Sequence, residues 1–310
     1  MIAANLARIV GRDHVGSAKG EKPAIPRVTA PFARARWRPM SLPICALTIA
    51  GSDPSGGAGL QADLKTFHQH GVYGMSVVTL VTVQNTLRVS RVELLSASIV
   101  AEQIEAVLQD IPPHCIKIGA LGGAAIVEAV TSSLAHRRVP LVVDPVMVSK
   151  HGAPLLDPDA QIRMRELIAG ADLVTPNAPE AAALTGRSVS SFAEAMDAAK
   201  AIRGLGAKAV LIKGGHFEDA DASDLLLDDS GSEVFSAPRV DTKHTHGTGC
   251  TYASAISARL ALGHSLRDSV EGAKRWLQRA IVGAPGLGGG QGPVDHQAPV
   301  EGTFPPFEAD

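Results

Sequence analysis

The sequence predicts an α/β protein built on a central, mostly parallel sheet, and three observations predict it. From residue 44 onward, short apolar runs of strand length alternate with segments whose apolar side chains repeat at helical spacing. Gly-rich turns follow several of the apolar runs, as strand-to-helix connections require. The 310 residues are 45% hydrophobic and 19% charged, so a sizeable core can be buried without disulfide or metal staples.

Residues 44–50 read as the first strand, and the helix after it carries Leu60, Leu64 and Phe67 at i, i+4 and i+7. Gly71 stops that helix as a C-terminal cap. A strand over 76–83 follows, then a helix with Ile104, Val107 and Leu108 on one face, then strands over 115–118 and 141–144. Strands at 172–175 and 209–213 continue the alternation, separated by a helix that opens on a capping box, Ser191 and Glu194. The one exception is 224–239, where two strand-like runs flank Asp228-Asp229-Ser230-Gly231 as an antiparallel hairpin. Helices over 248–262 and from 266 to about 284 close the pattern, and the Gly-rich stretch 286–292 reads as a loop. Residues 41–297 are expected to form one domain, with a tail over 298–310. Residues 1–40 hold six arginines against two acids and show no sustained periodicity. They are expected to be a disordered extension, with an organelle transit peptide as one reading and a true start at Met40 as the simpler one.

Composition narrows the function. A balance of 29 Lys+Arg against 31 Asp+Glu gives a net charge of -2, which offers no broad attraction to phosphate backbones or anionic lipid. Neither nucleic acid nor a membrane is an expected partner, and only 4% of residues are aromatic, too few for base-stacking platforms. No apolar run approaches the ~18 residues of a membrane span. Cys45, Cys115 and Cys250 form an odd set without a C-x-x-C pair, which argues against a disulfide framework and thiolate zinc and points to the cytoplasm.

Ligands of open parallel sheets bind at the carboxyl ends of the strands, so motifs that follow strands carry the chemistry. The turn Gly51-Ser52-Asp53-Pro54-Ser55-Gly56-Gly57-Ala58-Gly59 comes first. Gly57 to Ala62 also satisfies a dinucleotide fingerprint, but the acid expected about 20 residues on is missing, since nothing acidic lies between Asp63 and Glu93. Tight packing alone is the other account of these glycines. The second motif, His246-Gly247-Thr248-Gly249-Cys250, sits where an extended stretch meets a helix, and outward-facing amides there favour a phosphate or a transferring phosphoryl group. Cys250 in the first helical turn is expected to have a lowered pKa and to accept a proton from an alcohol; a small buried hydrophobe is its bland alternative. The third motif, Asn177-Ala178-Pro179-Glu180, can orient the water shell of Mg²⁺ or simply start a helix. The fourth, Lys213-Gly214-Gly215-His216, puts a lysine at a strand end before glycines that permit close phosphate approach. No P-loop motif occurs, and the eleven histidines contain no H-x-x-x-H pair.

Together these motifs, in this order, resemble the ribokinase-like superfamily and, within it, the hydroxymethylpyrimidine/phosphomethylpyrimidine kinases of thiamine biosynthesis. The residues that carry the resemblance are 46–67, Val83-Gln84-Asn85-Thr86, Asp144-Pro145-Val146-Met147, 175–182, Lys213 to His216 and 245–251. The resemblance implies a three-layer αβα fold and two successive ATP-dependent phosphorylations of 4-amino-5-hydroxymethyl-2-methylpyrimidine, to the monophosphate and then the diphosphate. It implies pyrimidine contacts at Gly51, Asp63, Gln84 and Val146, with the Gln84 amide donating to a ring nitrogen and accepting from the exocyclic amine. It further implies Mg²⁺ at Asp144 and Glu180, ATP at Lys213, Lys274 and Asn177, and catalysis by Cys250 with the Gly247, Thr248 and Gly249 backbone. A homodimer is the family's common state. The chain departs from the family pattern at Ala120, where methionine is usual, which enlarges the pyrimidine pocket, and at His244, where asparagine is usual. A pyridoxine or pyridoxal kinase of the same superfamily is the alternative activity, and a pyrimidine- or nucleotide-binding regulator without turnover is the alternative class.

Overall fold

The computed structural model describes residues 42–148, 152, 155–214 and 221–301. Strand β1 (Cys45–Ser52) is buried along nearly its whole length, the mark of a strand covered on both faces. It pairs in parallel with β2 (Tyr73–Gln84) on one side and β4 (Cys115–Ile118) on the other. Strands β5 (Leu141–Val143), β6 (Leu173–Val174) and β7 (Val210–Ile212) extend the parallel ladder. The strand β3 (Val89–Leu94) lies antiparallel on β2, and β8 (Asp221–Asp228) with β9 (Gly231–Pro238) forms the antiparallel hairpin at the far edge. The order across the described sheet is β3-β2-β1-β4-β5-β6-β7-β8-β9.

Side chains alternate across the pleat, so each strand feeds two cores. Leu47, Ile49, Val143 and Val174 pack with α2 (Ala97–Asp110), α3 (Ala124–Ser133), α4 (Pro158–Ala169), α5 (Ala178–Thr185) and α6 (Phe192–Arg203). Ala46, Val142, Leu173 and Leu211 pack with α1 (Gly59–Gln69), α7 (Thr248–Ala261) and α8 (Leu266–Val282). The result is the three-layer αβα arrangement. Gly71 ends α1 with φ +74°, its N–H reaching His68 O at 2.9 Å.

Three local expectations change. The strand expected over 76–83 stands, lengthened to β2, but the antiparallel β3 beside it was not expected, because β3 has no buried face and so little strand signal. Its only cue is the turn, where Asn85 Oδ1 accepts the N–H groups of Leu87 and Arg88. Two helices, α5 and α6, stand where one was expected between β6 and β7. Ser191 Oγ caps α6 by accepting from Glu194 N at 3.3 Å, but the Glu194 carboxylate closes one residue early, on Ser190 N at 2.7 Å. The reciprocal capping box belongs to Asn177 and Glu180 at the start of α5. Packing also runs past residue 297, since Ala298 is buried and its carbonyl accepts from Trp276 Nε1 at 2.9 Å. The extension over 1–40, most of the tail, Gly215 and His216 lie outside the described residues.

Candidate active site

A cavity of about 980 Å³ opens at the carboxyl ends of the parallel strands. Gly51 and Ser52 end β1, Gln84 ends β2, and Asp144, Asn177 and Lys213 come just after β5, β6 and β7; all line it. The N-terminal turn of α7 supplies Gly247, Thr248, Gly249 and Cys250, and α8 reaches in with Lys274. Val146 and Ala120 also line it.

The two glycine motifs are pressed against each other. Gly247 caps α7 at φ +76°, and a Cβ there would fall 1.8 Å from Gly57 O. Gly59 has φ +55°, and a Cβ there would fall 2.3 Å from Gly51 O. Only glycine satisfies both the left-handed backbone and the contact. Tight packing is therefore part of their role, and it brings the β1–α1 turn against the start of α7. No side chain caps α7; Thr248 N reaches Thr245 O at 3.3 Å and Thr251 N closes on Gly247 O at 2.8 Å. The residues between, Gly249 and Cys250, sit on the cavity wall at the positive end of the helix dipole.

Charges converge beside that helix start. Lys213 Nζ lies 2.7 Å from Asp144 Oδ1 and 3.8 Å from Glu180 Oε2, and Thr175 Oγ1 donates to the same Asp144 oxygen at 3.2 Å. Burial opposes the Lys213 charge, but Asp144 and Glu180 outweigh it and raise its pKa. Burial pushes Glu180 up to about 7, against the pull of Lys213 and with the help of Asp144. Two carboxylates thus share one lysine. Lys274 is held by Asp224 at 2.7 Å, and the other Asp224 oxygen accepts from Gly214 N at 2.9 Å.

Three comparisons bear on this geometry. The phosphomethylpyrimidine kinase family model matches residues 53–295. The chain belongs to the phosphomethylpyrimidine kinase family. A hydroxymethylpyrimidine/phosphomethylpyrimidine kinase of Staphylococcus aureus (strain MSSA476) is 45% identical over 263 residues, 84% of this chain and 95% of that protein. The phosphomethylpyrimidine kinase of Clostridium difficile 630 superposes with a TM-score of 0.69 at 43% identity, over 77% of this chain and 99% of that one. The Staphylococcus aureus pyridoxal kinase solved with AMP-PCP and pyridoxal superposes with a TM-score of 0.75 at 35% identity, over 82% of this chain and 94% of that one.

In this kinase two site expectations need correction. Asp63 does not reach the cavity. It is fully buried in α1, where Thr48 Oγ1 and Ser254 Oγ each donate to it at 2.6 Å and Lys117 Nζ lies 2.8 Å from Oδ2. Lys117, from β4, borders the cavity, but its side chain is as buried as that of Asp63, so the pair acts on the site through the charge it places beside Cys250. Cys250 does not have a lowered pKa. Burial pushes its thiol to about 11, and the neighbouring Lys117 ammonium only partly offsets burial together with the Asp144 and Asp63 carboxylates. The helix dipole is the weaker influence. His244 takes no place on the cavity wall; its Nδ1 accepts from Gly292 N at 3.1 Å and so anchors the 286–292 loop.

Lys117, Asp53 and Asp224 are site residues that motif reading passed over. A lysine inside the otherwise apolar β4 run Cys-Ile-Lys-Ile was the available signal for the first, since a charge in a buried strand must be paired. Asp53 stands within the first glycine motif but was given no role there, and Asp224 carries no comparable local mark.

Proposed function

We propose that this kinase transfers the γ-phosphoryl group of ATP to the hydroxymethyl group of 4-amino-5-hydroxymethyl-2-methylpyrimidine, and then phosphorylates the monophosphate to the diphosphate used in thiamine biosynthesis. The observation that carries the reading is the sharing of one cavity by a glycine-lined helix start, a lysine set between two carboxylates, and the Gln84 amide. The first suits a migrating phosphoryl group, the second a nucleotide with its cation, and the third a planar heterocycle. The names of the relatives and the nucleotide bound by the pyridoxal kinase support the same chemistry.

Phosphoryl transfer asks for positioning and charge neutralisation rather than covalent intermediates. The Gly249 and Cys250 amides and Lys213 face the charge that develops on the γ-phosphoryl, and Lys274 and Asn177 are assigned to the nucleotide. Asp144 and Glu180 fit Mg²⁺, which commonly takes one or two carboxylates and completes its shell with water and phosphate. No cluster of three His, Cys, Asp or Glu side chains placed to hold a metal occurs among the described residues, which agrees with a site completed by the nucleotide. Held by Asp144 and Glu180, Mg²⁺ would supply neutralisation of phosphate charge, and would also offset the Asp144 carboxylate that helps to hold the Cys250 thiol up. Cys250 is assigned to the hydroxymethyl proton, and Gly51 and Val146 to the pyrimidine. The second transfer starts from a phosphate already mostly anionic, with a pKa near ~6, and needs no base.

Pyridoxal phosphorylation is the second reading, favoured by the likeness to the pyridoxal kinase and by the space that Ala120 leaves. A cytoplasmic location and a homodimer complete the proposal: Cys45, Cys115 and Cys250 are free thiols, and Val83, Leu87 and Leu94 of the β2–β3 ribbon are exposed. No helix among the described residues is long and apolar enough to cross a membrane. The test is incubation with ATP, Mg²⁺ and either the pyrimidine or pyridoxal, with products followed by mass. Mono- and diphosphate from the pyrimidine support the reading; turnover of pyridoxal alone transfers it to the second, and turnover of neither removes both.

A further inference from the structure

Behind Gln84 lies a polar pair that the reaction chemistry does not use. His246 is buried, and its Nε2 lies 2.8 Å from Asp53 Oδ2 and 3.1 Å from the Gln84 side-chain nitrogen. Asp53 is itself buried and accepts at three further points: Oδ1 takes the N–H and hydroxyl of Ser55 at 2.9 and 2.7 Å, and Oδ2 takes Ala58 N at 2.9 Å. Burial opposes its charge, but His246 and Ser55 win and its pKa is lowered, so the group is a carboxylate that can only accept. His246 Nε2 must then carry the proton that joins the two.

That proton decides which end of the Gln84 amide faces the histidine. A protonated Nε2 cannot accept from an NH₂ group, whereas it can share its hydrogen with an amide carbonyl. The other end of the amide leads to the same answer. Thr82 Oγ1 stands 3.0 Å from Ser52 O and 3.3 Å from the Gln84 side-chain oxygen. A hydroxyl has one hydrogen, and the backbone carbonyl, which has no hydrogen of its own, takes it. Toward Gln84, Thr82 can therefore only accept, and the end it meets must be the NH₂. Nitrogen and oxygen of an amide are told apart by their partners, and both partners here put the carbonyl toward His246 and the NH₂ toward Thr82, with the two atoms exchanged between those positions.

We propose that Asp53, His246 and Thr82 are positioning residues that lock the Gln84 amide in one orientation and so make the kinase select a ring with an exocyclic donor beside an acceptor nitrogen. The inference rests on the reading that Gln84 contacts the pyrimidine. In the locked state the second lone pair of the carbonyl accepts from the 4-amino group and the second N–H donates to the adjacent ring nitrogen. The 4-oxo analogue, with a ring N–H beside a carbonyl, presents both groups reversed and leaves two buried mismatches. A free amide would turn over and accept either ring.

The experiment compares kcat/KM for the 4-amino compound and its 4-oxo analogue in the wild-type chain and in His246→Leu, His246→Gln and Thr82→Val. The wild-type kinase is expected to prefer the amino ring by about 100-fold or more, as sites built around substrate hydrogen bonds do. His246→Leu and Thr82→Val each remove one lock and bring the preference below about 10-fold, while the KM for ATP stays within about 2-fold. His246→Gln restores a donor near the Nε2 position and restores the preference. Thr82→Val is nearly isosteric and serves if His246→Leu does not fold. Unchanged preference in Thr82→Val and in a folded His246→Leu overturns the proposal, as does a wild-type chain that accepts both rings equally while phosphorylating the pyrimidine. A wild-type chain that phosphorylates neither ring sinks the functional reading itself, and this inference with it.

Discussion

Replacing Asp63 by asparagine separates two accounts of that residue. If Asp63 contacted the pyrimidine directly, the change would raise the pyrimidine KM and leave stability nearly alone. The structure assigns it instead to an ion pair in which neither side chain has any exposed surface. Removing one partner leaves Lys117 as an unpaired buried cation, a change that costs about 3–5 kcal/mol. One amide end must also face a hydroxyl that now donates to Asp63, either Thr48 or Ser254, and that mismatch adds about 1 kcal/mol or more. Against a total stability of about 5–15 kcal/mol this is a large fraction, so the urea midpoint should fall by about a quarter or more. The assay is equilibrium urea unfolding of Asp63→Asn, Lys117→Met and the double variant, with pyrimidine and ATP kinetics on whatever remains folded. The double variant has no stranded charge and should lose less than the sum of the two single losses, by about 2 kcal/mol or more. Its activity should stay low, because Lys117 is the cation beside Cys250. A midpoint unmoved in Asp63→Asn, together with a raised pyrimidine KM, would refute the ion-pair account and restore direct contact.

Three further outcomes are expected. Cys250→Ala should depress the first phosphorylation by about 100-fold and the second far less, followed by separate single-turnover measurements; equal losses would mean that the thiol only fills space. Asp144→Asn removes one of the two carboxylates facing Lys213, so calorimetry should show ADP binding tighter than wild type without Mg²⁺ and weaker than wild type with it. His70 and His296 are both held down to about 4, chiefly by burial. A depressed folded pKa means that the unfolded chain binds more protons between about 4 and 6.5, so stability is full above pH 6.5 and lost on acidification toward 4. Thermal melts in that window should fall, and His70→Gln should fall less; an unchanged slope would place the acid sensitivity elsewhere.

What the sequence made legible was local. The apolar run over 44–50 announces a strand, and the glycine clusters at 51–59 and 247–249 announce tight turns, though which glycines take the left-handed backbone, 59 and 247 among them, shows only in the fold. The order of Asp144, Asn177, Glu180 and Lys213 after successive strands placed them at one end of the sheet before any distance was known. By contrast, β3 is illegible because a short strand with no fully buried residue shows only a weak apolar pattern. Asp63 with Lys117 is 54 residues apart and Asp53 with His246 is 193 apart, and nothing within either segment names the other.

Cys250 shows why the same limit extends to chemistry. Its position in the first turn of α7 is readable, and the dipole there favours a thiolate by typically about 0.3–1 kcal/mol. The rise from 9.0 to about 11 corresponds to roughly 3 kcal/mol in the opposite direction, and its largest cause is burial. That burial is built by β4, by the β1–α1 turn and by the buried Lys117–Asp63 pair, segments far from residue 250 in the chain. The local rule has the right sign for its own contribution and loses to a larger one that only the assembled fold contains. If Cys250 is the base, substrate and nucleotide must change the charge around it, and Asp144 is the carboxylate whose neutralisation would lower the thiol most.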